Sequence, residues 1–279
     1  MPKTRCRFAT ATSLCAGVFA TLSSGALVLH PADDPPLGLA KPADAVVGQW
    51  LGVNEASLVV IDPNFAITTK HQGGGIGTDV VIDGAMYKVA DIVNHPTADL
   101  RVVRLETPGG SAANLSDFVG VYDQTDEVGQ TAVLGGYGEV RGDDITIIGN
   151  LVGYEWAGDA SRDLRWGANV IDSAGTAGAN DVLLADFDSD ADGVFGEATL
   201  AEGDSGGGVF LWDGTEWKVA ALHRAVENNN QALFSATPEL MDGVRLSSYH
   251  GFIDNAVPEP TSAALLPALA GLAARRRRR

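Results

Sequence analysis

The stretch Gly203-Asp204-Ser205-Gly206-Gly207 restricts how this chain folds more than any other, because three glycines around one serine specify a backbone before they specify a reaction. Glycine adopts left-handed and crowded conformations without a Cβ penalty. The run therefore reads as a tight turn that aims the amides of 203 and 205 into one small hollow. A serine hydroxyl placed there attacks a carbonyl only when a base removes its proton and nearby donors hold the oxyanion that forms. The same residues also suit a plain Asp/Gly-rich turn. What separates the two readings is whether the rest of the chain supplies an imidazole base and a carboxylate to orient it.

His71 closes a segment that begins at Leu58 with an apolar, β-branched run, turns at Pro63-Asn64, and continues as a second strand from Phe65 to Thr68. Asp99 stands at the head of Leu100 to Leu105, where a period of two places Leu100, Val102 and Arg104 on one face. With 36 acidic residues in the chain, a solvated strand end is the plain alternative for any single aspartate. His30, His95 and His250 read as surface or packing residues. His95 lies only four positions from Asp99 but lacks the strand-turn-strand context of His71.

At these three places the sequence resembles the chymotrypsin-like, trypsin-type serine proteases. Their nucleophile sits in Gly-Asp-Ser-Gly-Gly, their histidine ends Thr-Ala-Ala-His, and their aspartate opens a segment like Asp-Ile-Ala-Leu-Leu-Lys-Leu. Thr68 matches the threonine, and the order His71, Asp99, Ser205 is the family's order. Two departures stand beside the base: Lys70 in place of a small residue and Gln72 in place of a cysteine. The resemblance implies Ser205 as nucleophile, His71 as general base, Asp99 as its orienting acid, and the amides of Gly203 and Ser205 as the oxyanion hole. It implies a secreted serine endopeptidase that cleaves protein or peptide substrates through an acyl-enzyme. The alternative is a catalytically silent protein of this fold that binds in the cell envelope or extracellular matrix.

The fold expectation also has support in the residues themselves. From Val46 to Ile253, about 200 residues, enough for one large or two small domains, strand-like stretches alternate with glycine and aspartate turns and carry no long helical periodicity. That pattern predicts a closed antiparallel all-β architecture. By resemblance it becomes two six-stranded antiparallel β-barrels, 46–130 and 131–256, with the site in the cleft between them. Ala132 to Gly138 resembles the family's strand into Gly-Trp-Gly, which opens the second barrel.

In the family, the residue six before the nucleophile lies at the base of the primary specificity pocket; here it is Thr199, which offers no charge to a lysine or arginine. Ala220-Ala221-Leu222-His223 resembles the histidine-bearing strand of bacterial glutamyl endopeptidases. Thr199 and His223 are accordingly expected to line a pocket for acidic or polar side chains. Asp204 often pairs in the family with a newly exposed terminal amine, and Val46-Val47-Gly48 is a faint likeness of the start that supplies it. Asp186 to Gly193 spaces carboxylates at alternate positions, as calcium loops do. Position twelve from Asp188 is Thr199 instead of a bidentate glutamate, so a solvated acidic loop stands as the alternative. No cofactor is required by this reading, and calcium is the one ion the spacing suits.

The two ends read as targeting segments. Lys3, Arg5 and Arg7 precede a small-residue and apolar stretch, and Ser24-Gly25-Ala26 offers a cleavage site, so 1–26 reads as a signal peptide and 27–45 as a leader or linker. At the other end Val257-Pro258-Glu259-Pro260 leads into apolar residues from Ala263 to Ala274 and five closing arginines. Twelve helical residues cover only roughly 18 Å, short of a hydrocarbon span. This tail, 257–279, resembles the PEP-CTERM sorting signal of bacterial envelope proteins, which implies export and sorting machinery as partners and an envelope or extracellular location. Both cysteines, Cys6 and Cys15, fall in the leader, so the exported domain is expected to hold no disulfide. Losing both ends removes eight basic residues and one acidic residue and takes the net charge from −17 to about −24. Such a surface repels phosphate backbones and anionic lipids, which argues against a nucleic-acid partner; a monomer is expected.

Overall fold

In the computed structural model, residues 27–30, 38–227, 231–233 and 240–258 are described. A two-residue strand β1 (Val28–Leu29) is followed by β2 (Val47–Leu51), β3 (Glu55–Asp62), β4 (Phe65–Thr68), β5 (Asp79–Ile82), β6 (Ala85–Asn94) and β7 (Arg101–Glu106). Strands β2 to β7 close into a barrel in the order β2-β3-β4-β7-β6-β5, every neighbour antiparallel. Asn64 supports the turn between β3 and β4, its N–H donating to Asp62 Oδ1 at 3.2 Å.

The apolar run of β3 explains how one strand serves two cores. Leu58 and Val60 point into the barrel with Trp50, Ala66, Ile82, Val103 and Leu105. Val59, on the opposite face by the period of two, joins Ile67, Val102, Phe210 and Leu222 in a core shared by both halves of the molecule. Each such side chain, when fully buried, contributes about 1.5 to 3 kcal/mol relative to exposure.

The second half continues with β8 (Gly120–Val121), β9 (Thr131–Gly136), β10 (Arg141–Ile147), β11 (Asn150–Trp156), β12 (Arg165–Val170), β13 (Ser173–Ala177) and β14 (Asn180–Asp186). Then come β15 (Ala198–Thr199), β16 (Gly208–Trp212), β17 (Trp217–Val226), β18 (Gln231–Leu233), β19 (Leu240–Arg245) and helix α1 (His250–Ala256). Its main sheet runs β12-β9-β16-β17-β19-β14-β13 and curls around Leu134, Leu183, Leu211, Ala220 and Met241. Between β12 and β14 the seam is bridged by Asn169 Nδ2, which donates to the carbonyls of Asp186 at 2.7 Å and Ala198 at 3.0 Å. Strands β10, β11 and β18 form a separate three-stranded sheet. The expected all-β, two-barrel architecture is the one the chain adopts.

One expectation is corrected. Residues 27–30, read as part of a linker, enter the second barrel. Val28 pairs with Thr199 and Leu29 with Ala198, and Leu27, Val28 and Leu29 are fully buried. Three successive large apolar residues gain more from that interior than from water, which a linker reading based on position alone overlooks. The signal peptide 1–26 and the sorting tail from residue 259 onward lie outside the described residues. No helix among the described residues is long and apolar enough to cross a membrane.

Candidate active site

His71, Asp99 and Ser205 come together at the junction of the two halves. His71 follows the end of β4, Asp99 precedes β7, and β4 and β7 are hydrogen-bonded neighbours, so two residues 28 positions apart in sequence sit side by side. His71 Nδ1 lies 2.6 Å from Asp99 Oδ2, and His71 Nε2 lies 2.8 Å from Ser205 Oγ. With the carboxylate accepting from Nδ1–H, Nε2 is left as an acceptor for the hydroxyl proton. The imidazole is 43% exposed while the Asp99 side chain is 16% exposed, so the base faces the cleft and its partner faces the protein.

Asp99 is held ionised by what surrounds it. Burial works to raise its pKa, but the bond from the His71 ring, the charge on that ring and the N–H groups of Lys70 (2.7 Å) and His71 (3.0 Å) outweigh it and leave the carboxyl below its ordinary value. Its own N–H donates to Asn180 Oδ1 at 2.6 Å, a contact from the second half of the chain. Lys70, the unexpected neighbour of the base, turns its Nζ away to the carbonyl of His95 at 2.9 Å. Arg101 fastens the loop after His71, donating to the carbonyls of Thr69, Gly73 and Gly74 while its guanidinium lies 4.4 Å from the Trp50 ring. Burial lowers its pKa to about 10.

Gln72 occupies the place of the absent cysteine and builds a polar knot there. It is 1% exposed. Its Nε2 donates to Thr68 Oγ1 at 2.6 Å and its Oε1 accepts from Thr69 Oγ1 at 2.7 Å. Thr68 Oγ1 in turn donates to the carbonyl of Ser57. From Ser57, the amide donates to the Ser205 carbonyl at 2.8 Å and the hydroxyl to the Gly203 carbonyl at 3.0 Å. The loop carrying the histidine and the loop carrying the serine are thus tied to one residue of β3. This approach is close enough that a Cβ on Gly206 would stand 2.2 Å from Thr68 Oγ1, and φ there is +82°, so only glycine fits.

Within the serine loop the amides divide into two sets. Those of Asp204, Gly206 and Gly207 donate to the carbonyls of Ala201, His223 and Asp204. Those of Gly203 and Ser205 have no hydrogen-bond partner among the described residues. Two free donors flanking the hydroxyl are what an oxyanion needs.

Asp204 points the other way, into the protein. It is fully buried, its Oδ1 accepting from the Gly138 amide and its Oδ2 from the Ala201 amide, both at 2.8 Å, and it also takes the amide of Leu27. A Cβ on Gly138 would meet that carboxylate at 2.5 Å, which explains the second glycine of Gly136-Tyr137-Gly138. Desolvation pushes Asp204 up to about 7 despite these bonds. In the uncut chain Val46 is held in the turn before β2, its amide on the Ala43 carbonyl, and the chain segment beside Asp204 is that of Leu27.

A cavity of about 420 Å³ opens beside Ser205, walled by Trp156, Leu200, Ala201, Glu202, Arg224 and Val226. Thr199 and His223 are not among the residues that line it. Thr199 pairs with Val28 of β1 and has no exposed surface, and His223 is 1% exposed, its amide on the Gly207 carbonyl. Burial depresses His223 to about 3, so the ring is neutral. Of the remaining histidines, His30 is buried and stacks on Phe187 at 4.5 Å, His95 accepts the amides of Thr97 and Ala98, and His250 pairs with Asp254. Among the described residues no group of three or more His, Cys, Asp or Glu side chains is arranged to hold a metal ion, and in the Asp186 to Gly193 loop Asp192 accepts from Ser189 Oγ.

Sequence reading did not find Ser57, Arg101 or Asn180. A serine inside the apolar run of β3 and an arginine at the head of β7 are visible anomalies, but their partners lie in loops whose positions only the fold supplies.

The fold is similar to that of neuropsin, a serine protease expressed in the limbic system of mouse brain. Identity is 16% over 78% of this chain and 96% of that one, with a TM-score of 0.53. It is similar also to an inactive form of Rv3671c from M. tuberculosis H37Rv, with 13% identity over 80% of this chain and 98% of that one and a TM-score of 0.51. At these identities the likeness establishes the trypsin-like two-barrel fold. No family model matches the chain, and no curated protein matches it.

Proposed function

We propose that this protein is a serine endopeptidase acting on protein or peptide substrates outside the cytoplasm. The observation that carries the reading is the unbroken hydrogen-bonded chain from Asp99 through His71 to Ser205. Ser205 Oγ attacks the peptide carbonyl carbon as His71 Nε2 takes the hydroxyl proton, and Asp99 stabilises the imidazolium through Nδ1–H. The carbonyl oxygen, now an anion, accepts from the amides of Gly203 and Ser205. Collapse expels the amine, which receives the proton from His71, and leaves an ester on Ser205. Water, deprotonated by the same imidazole, then releases the acid and restores the hydroxyl.

Maturation belongs to the same proposal. Removal of the signal peptide after Ala26 would leave Leu27 as the terminal residue, with its ammonium against Asp204. Leu27 has a φ of +62°, crowded for a branched side chain while a carbonyl precedes it; cleavage removes that carbonyl. One cut then releases the protein from its leader and supplies the buried carboxylate with a cation. The test is digestion of an unfolded protein by the secreted form, with new termini read by mass spectrometry. Cleavage by the wild type and none by Ser205→Ala is expected; an equal pattern from both would refute the assignment.

A further inference from the structure

The cavity beside Ser205 contains one cation. Arg224 lines it, and the backbone there is irregular: β17 pairs His223 with Gly243 and Ala225 with Asp242, leaving Arg224 as the extra residue of a bulge. Bulges re-aim a side chain and are found beside functional sites. The guanidinium is held from one edge. Its Nε donates to Asp242 Oδ1 at 2.6 Å and its Nη2 to Asp242 Oδ2, a two-point contact that fixes the plane of the group. Its Nη1 has no partner among the described residues, and its side chain is 23% exposed.

The other charges at the cavity are already matched. Glu202 stands at the rim, 62% exposed and 3.4 Å from Arg162. Asp242 is occupied by Arg224. Apart from the Gly203-Ser205 segment, the remaining side chains of the wall are apolar: Leu200, Ala201, Ala225, Val226 and the Trp156 ring. A side chain held in this cavity from the scissile bond therefore shares it with aliphatic groups and with a pre-oriented donor edge. A lysine or arginine would bring a second cation to that edge. An aliphatic side chain would leave Nη1 without an acceptor once water is displaced.

Resting on the reading of Ser205 as the nucleophile, we propose that Arg224 is the specificity-determining residue and that the enzyme cleaves after glutamate, whose two methylenes reach along the wall and whose carboxylate accepts from the free edge of the guanidinium. Thr199 and His223, buried and not lining the cavity, take no part in the contact.

The experiment is a peptide library varied at the residue before the cleaved bond, digested by the processed protein and scored as ratios within one digest. Glutamate should be cleaved roughly tenfold or more faster than glutamine or leucine, and lysine slowest. In Arg224→Gln the glutamate-to-leucine ratio should fall by about tenfold, whereas Asp242→Asn, which leaves the guanidinium with one carboxylate fewer, should raise it. The wild-type ratios test the proposal even if either variant fails to fold. Wild-type protein that labels with a fluorophosphonate on Ser205 but shows no glutamate preference overturns this inference alone; protein that does not label overturns the nucleophile reading and this inference with it.

Discussion

At the scale of single residues, the site works through the division of Asp99 between its two oxygens. One accepts two backbone amides and is structural; the other accepts the imidazole and sets its tautomer. In Asp99→Asn the backbone contacts to Oδ1 can be kept, but an amide nitrogen facing Nδ1 favours the wrong tautomer. Peptide hydrolysis should then fall by roughly 10⁴ in kcat, with the fold intact by circular dichroism. Because the folded carboxyl titrates below the ordinary 3.8, its contribution to stability is present at and above neutral pH and is lost only as the pH falls below that value. Gln72 fills a buried position beside His71 with a polar side chain. A buried carboxamide can satisfy several hydroxyls and carbonyls at once, and here it links Thr68 and Thr69 beside the base.

At the scale of elements, the segment Leu27 to His30 is the least anticipated. Its apolar residues were in plain view, but period and composition cannot say which sheet a two-residue strand joins, and β15, its partner, is itself only two residues long. By contrast, the strand-turn-strand that delivers His71 was legible because Pro63-Asn64 punctuates two apolar runs. The strand that follows Asp99 was legible because its alternation places the acid at a strand head. Asn180 was not, since it acts from a hairpin 81 positions away. The segment has a thermodynamic signature. While residues precede Leu27, folded Asp204 titrates near 7 and an unfolded aspartate near 3.8. The folded state then binds the extra proton, and stability declines as pH rises between those values. A terminal ammonium at Leu27 lowers the folded pKa and removes the decline. Thermal melts across that pH range should separate a form beginning at Leu27 from one retaining upstream residues; superimposable profiles would contradict the pairing.

At the scale of the whole molecule, two barrels share a core through Val59, Ile67, Phe210 and Leu222, and the hydrogen-bonded trio spans it, His71 and Asp99 from one side and Ser205 from the other. Both cysteines, Cys6 and Cys15, precede the two barrels in sequence, and no metal-ready cluster is found among the described residues. Burial and polar knots such as that around Ser57 hold the two halves of the molecule together. Neither a thiol reductant nor a chelator should shift its melting temperature or its activity; a fall on chelation would place an ion in the acidic loop after β14. All of these expectations depend on one hydroxyl being made reactive by its surroundings, and that reactivity is open to direct measurement. Secreted, leader-processed protein treated with a fluorophosphonate should gain one adduct, located by peptide mapping on Ser205 and lost in both Ser205→Ala and His71→Ala. Correctly processed, folded protein that gains no adduct would contradict the account.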